Sequence, residues 1–272
     1  MLDSANDASF TLLLKLTFNE NVTLKKLLLA LATTLSLPNM SFAAAACADG
    51  ANAAGCTIGT TGFDYTLTGD IAPASGVVGI EFTSVATTNT TSLTGNITTT
   101  GVDAYGLLLE SSDNNTTTLT GDISTTGASA RGLFLFDSTS NTTTLTGDIS
   151  TTGAGARGLY LESSDNNTTT LTGDISTTGT SAHGLYIYGS DSNTTTLTGD
   201  ISTGGLGAVG LILFGSNNNT TTLTGDISTT RGGAAGLYLI SSDSNTTTLT
   251  GDISTTGDYA YGVWLDTSNP TP

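Results

Sequence analysis

Apolar residues return along this chain at a strictly constant interval. The most regular of them is a leucine followed by Thr-Gly-Asp-Ile, with Asn96 in place of the aspartate in one copy. These leucines are Leu67, Leu93, Leu119, Leu145, Leu171, Leu197, Leu223 and Leu249. The leucines are 26 residues apart. A constant period of this length indicates a repeat protein, in which one structural unit stacks on copies of itself and buries its apolar side against them.

Within one unit, apolar and polar residues alternate, which is the pattern of β-strands. Leu119 and Ile123 share one parity and the threonines beside them share the other, so we expect the leucine and isoleucine to point inward. A Thr-Thr-Gly turn follows. A second strand then carries Leu133 and Leu135 inward, after an Ala-Arg-Gly step that interrupts the alternation and predicts a bend or bulge. No segment has the period of a helix.

This unit predicts an all-β fold, a parallel β-helix (β-solenoid) of about eight 26-residue coils over residues 63–270. Successive coils would hydrogen-bond at ~4.8 Å, so that like residues stack over like. We expect one such column to be an asparagine ladder, with amides bonding along the axis. Its members are Asn89, Asn115, Asn141, Asn167, Asn193, Asn219 and Asn245.

Residues 1–43 have the pattern of an extended secretory signal peptide. Two lysines precede an apolar run over residues 27–37, and the small residues Ser41 and Ala43 follow it at the spacing of a cleavage site. The apolar run is too short to span a bilayer. The sequence therefore predicts an exported protein.

The two cysteines of the chain, Cys47 and Cys56, both follow this leader. In an oxidising compartment they could form a small disulfide loop at the first open edge of the solenoid, or they could remain two unpaired thiols. We expect residues 44–62 to be an N-terminal stub or cap, and residues 271–272 to be a truncated tail.

The leader followed by Gly-Asn-Ile-Thr-Thr-Thr-Gly-x-x-Ala-Tyr-Gly-Leu, at residues 95–107 and in seven further copies, resembles the passenger domains of bacterial autotransporters. The resemblance covers residues 25–270. It implies secretion by the type V route to the bacterial cell surface and outer membrane, where a monomeric rod would act as an adhesin, enzyme carrier or stalk. The family's C-terminal translocator β-barrel is missing from the sequence, which leaves truncation or another secretion route open.

The charge of the chain narrows the choice of partner. The formal net charge is −17, and of the six lysines and arginines only Arg131, Arg157 and Arg231 follow the leader. Binding to nucleic acid or to an anionic membrane requires many cations to neutralise phosphates, so both are excluded as partners. A glycan or protein surface remains the expected partner.

An aspartate column runs through the Gly-Asp step of the coils. Stacked carboxylates could bridge calcium between coils. Alternatively they could be solvated or bond backbone amides in the turn. We expect no cofactor, with calcium as the alternative. The column consists of Asp70, Asp122, Asp148, Asp174, Asp200, Asp226 and Asp252.

Pairs of threonines, in the pattern Thr-x-Thr, are expected to point outward in rows. Such rows resemble the ice-binding surface of β-solenoid antifreeze proteins, whereas the simpler interpretation is that threonine suits an exposed strand. The central pairs are Thr118 and Thr120, Thr144 and Thr146, Thr170 and Thr172, and Thr196 and Thr198.

A third column is apolar, and we expect it to face outward as an exposed aromatic stripe. Exposed stripes of this kind usually mark interaction surfaces, and their rings can stack on sugars or on a partner protein. The stripe and the residues behind it include Phe134, Tyr160, Tyr186, Tyr188, Phe214, Tyr238 and Trp264. Tyr105, Arg131, Arg157 and His183 are expected beside the stripe on a neighbouring strand.

Catalysis is not expected. The single histidine, His183, occupies a repeat position that also holds Tyr, Arg, Val and Ala, and the aspartates are spread evenly along the axis. The sequence therefore predicts an adhesive or structural surface protein, with an ice-binding solenoid and a polysaccharide-active β-helix enzyme as the alternatives.

Overall fold

The computed structural model describes residues 45–50 and 52–266, and in this part of the chain it confirms the predicted fold. The chain winds into a β-solenoid of about eight turns, built from three sheets of parallel strands. Residues 45–50 and 52–266 contain no helix. Accordingly, no helical segment in these ranges has the length and hydrophobicity needed to cross a membrane. The predicted leader over residues 1–43 and the tail at 271–272 lie outside the described residues.

The longest sheet has ten strands in chain order, and we call it the aromatic sheet. Its strands are Ala45–Ala46, Cys56–Ile58, Ile80–Phe82, Leu107–Glu110, Arg131–Phe136, Arg157–Glu162, His183–Tyr188, Val209–Phe214, Ala235–Ile240 and Tyr261–Asp266. From Leu107 onward, each residue of a strand pairs with its equivalent in the next repeat, as Leu133 does with Leu159.

The second sheet has eight strands, and we call it the threonine sheet. Its strands are Asp64–Thr68, Thr90–Thr94, Thr116–Thr120, Thr142–Thr146, Thr168–Thr172, Thr194–Thr198, Thr220–Thr224 and Thr246–Thr250. All its pairs are in register with the repeat, so that Leu119 lies beside Leu145.

The third sheet has seven short strands, and we call it the isoleucine sheet. Its strands are Ile97–Thr99, Ile123–Thr125, Ile149–Thr151, Ile175–Thr177, Ile201–Thr203, Ile227–Thr229 and Ile253–Thr255. It follows the threonine sheet after a Gly-Asp corner, where the glycine has a positive φ, as at Gly121 (142°).

The core consists of leucine and isoleucine columns that run along the solenoid axis. Leu119, Ile123, Leu133 and Leu135 of one coil are all essentially inaccessible to solvent, and each contacts its equivalents in the neighbouring coils through one continuous cluster. These are the residues whose alternation predicted inward-pointing strands. Burial of the same four apolar side chains in every central coil is the main stabilising contribution to the stack.

The bend predicted at the Ala-Arg-Gly step lies at Gly132, where two successive residues face the core. A Cβ on Gly132 would overlap the Cγ2 of Ile149 and lie 2.7 Å from the carbonyl oxygen of Gly158. Because Gly132 and Leu133 both face inward, Arg131 is returned to the same outer face as Phe134, over whose ring it lies at 4.3 Å. This pair of inward positions therefore adds a further column to the outside of the aromatic sheet, while the strands stay in register.

The first coil departs from the regular pattern. Cys47 and Cys56 form a disulfide with an S–S distance of 2.11 Å, which joins the first two strands of the aromatic sheet, and Cys56 has no exposed surface. Gly50 then pairs with the first threonine strand, donating to the carbonyl oxygen of Thr66 at 2.8 Å and accepting from the amide of Thr68 at 3.0 Å. The residues expected to form a stub or cap thus cover the first edge of two sheets.

Candidate functional site

The asparagine column lies inside the solenoid and forms a continuous ladder. The Oδ1 of Asn167 accepts hydrogen bonds from the backbone amide of Asn141 at 2.8 Å and from its Nδ2 at 3.2 Å. The Nδ2 of Asn167 donates to the carbonyl oxygen of Ser138 at 2.8 Å. The backbone bonds repeat from Asn89 to Asn245. From Asn89 to Asn219 the side chains are buried, so the ladder has a structural role and these amides are not accessible to a ligand.

The aspartate column is exposed and bonds the backbone of the turn. The Oδ1 of Asp122 accepts from the backbone amide of Asp148 at 2.9 Å, and Asp148 does the same for Asp174 at 2.8 Å. Among residues 45–50 and 52–266, no group of three or more His, Cys, Asp or Glu side chains is placed to share a metal ion. This geometry matches the interpretation in which the aspartates accept hydrogen bonds from backbone amides in the Gly-Asp turn.

The outer face of the threonine sheet is wider than the sequence pattern predicted. Thr118 and Thr120 point outward as expected, and Thr116, two residues earlier, lies in the same face. The face therefore has three columns of hydroxyl side chains. The predicted pairs at Thr144 and Thr146, Thr170 and Thr172, and Thr196 and Thr198 occupy the same columns, where each residue is exposed or half-buried.

A fourth threonine column in this sheet faces the core. Thr117 and its equivalents from Thr91 to Thr221 are buried, Thr247 is half-buried, and their hydroxyls have no hydrogen-bond partner. The column consists of Thr91, Thr117, Thr143, Thr169, Thr195, Thr221 and Thr247. Burying an unpaired hydroxyl costs free energy, which offsets part of the stabilisation from the buried methyl group of each threonine.

The predicted aromatic stripe points outward, but its central members are not exposed, which corrects the sequence-based expectation. Phe134 and Tyr160 are 5% and 4% exposed. Their rings stack in parallel at a centroid distance of 5.0 Å, and Tyr160 stacks on Tyr186 at 5.1 Å. In-register stacking covers both faces of each ring, which a pattern of outward positions does not reveal.

Two arginines also cover the rings of the aromatic stripe. The guanidinium of Arg131 lies 4.3 Å from the Phe134 ring and 4.9 Å from that of Tyr105, and Arg157 lies 4.5 Å from the Tyr160 ring. The structure places them at the start of the same strands as the stripe, which corrects the neighbouring-strand expectation. These contacts are cation–π interactions. Burial lowers the pKa of Arg157, and burial also raises the pKa of Tyr160.

His183 follows Arg157 in the same column and is held as a neutral ring. Its Nδ1 accepts a hydrogen bond from the backbone amide of Val209 at 3.0 Å, and its ring meets Tyr186 edge-on at 5.6 Å. Burial, and then the charge of Arg157, lowers the pKa of His183 to about 4. With Nδ1 accepting, the proton of the neutral imidazole is on Nε2.

Among the coils that have a neighbour on both sides, the exposed rings lie late in the aromatic sheet. Tyr188 is 38% exposed and Phe214 36%, while Tyr186 and Tyr238 are half-buried. Trp264 (39%) lies in the last described coil, where even the core position Leu265 is 62% exposed. Tyr261, which the stripe prediction did not include, is exposed in the same coil. It belongs to the column that begins at Tyr105 and Arg131, and variation within that column was the sequence signal that could have identified it.

Two of the clefts in the described part of the chain lie on this face. One, of about 330 Å³, lies between Tyr105 and Phe136 and is lined by the charged groups Arg131, Glu110 and Glu162. The other, of about 320 Å³, extends from His183 to Tyr261, and no Asp, Glu, Lys or Arg lines it. The face thus contains one charged and one neutral recess.

Comparison of the chain with known protein families, with curated proteins and with solved structures finds no match in any of the three.

Proposed function

We propose that this chain is an exported bacterial surface protein of the autotransporter-passenger type, which presents the outer face of its aromatic sheet to a glycan or protein partner. Its role would be adhesive or structural. One observation carries the proposal. The other faces repeat nearly the same residue in every coil, whereas the outer columns of the aromatic sheet change from coil to coil and expose Tyr188 and Phe214. Specific recognition requires a surface that is not uniform along the axis.

The remaining polar groups support a scaffold in preference to an enzyme. The aspartates accept backbone amides one coil apart, and the asparagines are buried in a ladder. His183 uses Nδ1 to accept the Val209 amide and faces aromatic residues. Catalysis needs convergent, activated groups, so no catalytic activity forms part of this proposal.

The proposal of export and cell-surface location depends on the sequence pattern of the leader and on the resemblance to autotransporter passengers. The strongly negative charge favours a soluble surface protein that repels its own copies. A translocator β-barrel would be the export partner, and sequencing the gene beyond codon 272 tests for it. Finding the full chain in the cytoplasmic fraction of its own bacterium would contradict the export proposal.

Adhesion itself is tested with full-length protein on surfaces coated with polysaccharides or with matrix proteins. Replacing two exposed rings, Tyr188→Ser with Phe214→Ser, should weaken binding about tenfold, since exposed aromatic residues contribute most to such contacts. Thr196→Ser on the threonine sheet is the matched control, because Ser92 occupies the same column. Equal binding by the double variant and the wild type would remove the aromatic face as the adhesive surface.

A second candidate function is ice binding by the threonine sheet. The observation that favours it is the third hydroxyl column, which makes a regular uncharged array of methyl and hydroxyl groups at β-sheet spacing. The aspartates that could have disturbed this array bond the backbone at the adjoining turn. Purified protein should then shape ice crystals and show thermal hysteresis, and Thr144→Lys with Thr170→Lys should abolish both. Ordinary freezing of the wild-type solution would remove this candidate.

A further inference from the structure

The neutral recess of the aromatic sheet arises from an interruption in two stacked columns. Where earlier coils carry Arg131, Arg157 and His183, the next two carry the small residues Val209 and Ala235. Beside them Ile212 replaces a ring in the stripe. All three replacements are buried against Tyr186 and Tyr238, and they form the floor of a cavity of about 320 Å³. That volume is at the lower end of the ligand-site range of roughly 300–1,000 Å³.

Aromatic rings form both ends of this recess. At one end, His183 meets Tyr186 edge-on with centroids 5.6 Å apart. At the other end, Trp264 stacks on Tyr238 at 4.9 Å and contacts Tyr261 at 4.6 Å. The two ends are three coils apart in the same column, which corresponds to about 14 Å between backbones. The space between them accommodates a small planar or ring-shaped group.

The polar groups that line the recess are neutral hydrogen-bonding groups, while the guanidinium of Arg157, 5.1 Å from the Tyr186 ring centroid, and the carboxylate of Asp266, near Tyr238, lie beside it. Tyr186, Tyr238 and Tyr261 bring phenolic hydroxyls, and Trp264 brings an indole N–H. His183 carries its proton on Nε2, because Nδ1 accepts the amide of Val209. In contrast, the other cleft on this face is lined by Arg131, Glu110 and Glu162. Ring faces combined with neutral donors match a ligand that is apolar on its faces and hydroxylated at its edges.

We propose that the recess between His183 and Trp264 is a binding site for a neutral pyranose ring of a glycan. The C–H face of the sugar would stack on Tyr238 and Tyr261, and its hydroxyls would bond the phenols, the indole N–H and the imidazole Nε2. Acidic sugars are disfavoured, because the chain carries a net charge of −17 and no cation lines the recess. This inference rests on the proposed function, since it assigns a ligand class to the partner-facing sheet.

Trp264 is the single tryptophan of the chain and lies at one end of the recess, so it reports binding directly. The experiment titrates full-length protein with cellotetraose, mannotetraose, N-acetylchitotetraose and, as the acidic probe, tetragalacturonate, and follows tryptophan fluorescence. At least one neutral probe should change the emission saturably, and tetragalacturonate should bind at least tenfold more weakly. N-acetylleucinamide, which does not fluoresce, serves as the apolar probe.

Ala235→Arg is the decisive variant, because it fills the recess with a side chain that two other coils already carry at this position. It should fold normally and weaken binding of the neutral probe tenfold or more. Ala128→Arg adds the same charge at an exposed turn far from the recess and should bind like the wild type.

Several results would overturn the glycan site. They are the absence of a saturable response to every neutral probe, equal binding by Ala235→Arg, equal binding of tetragalacturonate, or binding of N-acetylleucinamide alone. None of them decides the adhesion assay, in which the single variant Tyr188→Ser tests the aromatic face independently, because Tyr188 does not line the recess whereas Phe214 does. Conversely, sugar binding with unchanged adhesion would sustain the site while contradicting the proposed adhesive function.

Discussion

Each buried asparagine contributes to the stack through bonds that cross from one coil to the next. Asn167 satisfies the amide of Asn141 and the carbonyl of Ser138, neither of which has access to water. The side chain therefore replaces backbone pairing at a turn, where the sheets are interrupted. A hydrogen bond of this kind is worth about 1 kcal/mol net, but a buried group left without a partner costs about 1–3 kcal/mol.

Replacement of this residue, Asn167→Ala, should accordingly destabilise the solenoid by about 2–4 kcal/mol, because it leaves a buried amide and a buried carbonyl unpaired. Urea unfolding followed by circular dichroism measures the change. Asn166→Ser is the control, since the neighbouring position is exposed and is occupied by Ser140 and Ser192 in adjacent coils. Similar midpoints for the two variants would show that the ladder contributes little.

The buried imidazole of His183 predicts a loss of stability in acid. Its pKa falls from the ordinary 6.5 to about 4 in the folded chain, so between these values the unfolded chain binds the proton and the folded chain does not. Stability therefore falls as the pH drops from about 6.5 to 4, by roughly 2–3 kcal/mol at pH ~4.5.

His183→Val isolates this contribution, because Val209 occupies the same position one coil later. Denaturant midpoints of the two proteins, measured from pH 7.5 down to about 4.5, should diverge as the pH falls, with the wild type losing more. Parallel curves would contradict the assignment of the acid sensitivity to this histidine.

At the scale of the strand, Gly132 and its equivalents, which face the core together with the next residue, decide which side chains reach the outer face. The position must be glycine because the next coil lies against it: a Cβ on Gly158 would overlap the Cγ2 of Ile175 and lie 2.8 Å from the carbonyl oxygen of Gly184. Both obstructing groups belong to the packed core or backbone. Neither can move without displacing a coil.

Gly158→Ala should therefore cost about 1–3 kcal/mol or more through overpacking. Thermal unfolding measures the loss. Gly155→Ser is the matched control, since this glycine lies in a turn where Ser129 and Ser181 occupy the same position, and its added Cβ would meet nothing closer than 3.7 Å. A normal melting temperature for Gly158→Ala would mean that the coils can separate at this point.

In the molecule as a whole, stability is expected to follow nearest-neighbour contacts, because each coil touches only the coil before and the coil after it. The first coil is irregular and carries the disulfide between Cys47 and Cys56. A short loop closed by a disulfide contributes about 2–4 kcal/mol. That contribution should remain local to the coils that it joins.

Removing the disulfide with Cys47→Ala and Cys56→Ala should expose the first coil without loosening the central ones. Hydrogen–deuterium exchange should accelerate in the strands Cys56–Ile58 and Ile80–Phe82, while Thr168–Thr172 keeps its protection. Uniform loss of protection along all the strands would instead indicate that the solenoid unfolds as one cooperative unit.

The sequence by itself determined the period, the strand-rich fold, the inward leucines and isoleucines and the in-register asparagines. These features depend on spacing alone: period two selects a face, and a strict repeat places each residue over its equivalent in the next coil. The third exposed threonine column at Thr116 follows from the same alternation, because Thr116 shares the parity of Thr118 and Thr120.

Only the tertiary structure decided which outward residues are accessible. Phe134 and Tyr160 point outward yet are covered, because rings one coil apart stack on them and Arg131 and Arg157 close over them. The recess beside Ala235 exists for the opposite reason, since small side chains interrupt the same columns. Exposure depends on the size of the equivalent side chains one coil away and on the inward-facing glycine of each strand, which together set contacts that no single coil contains.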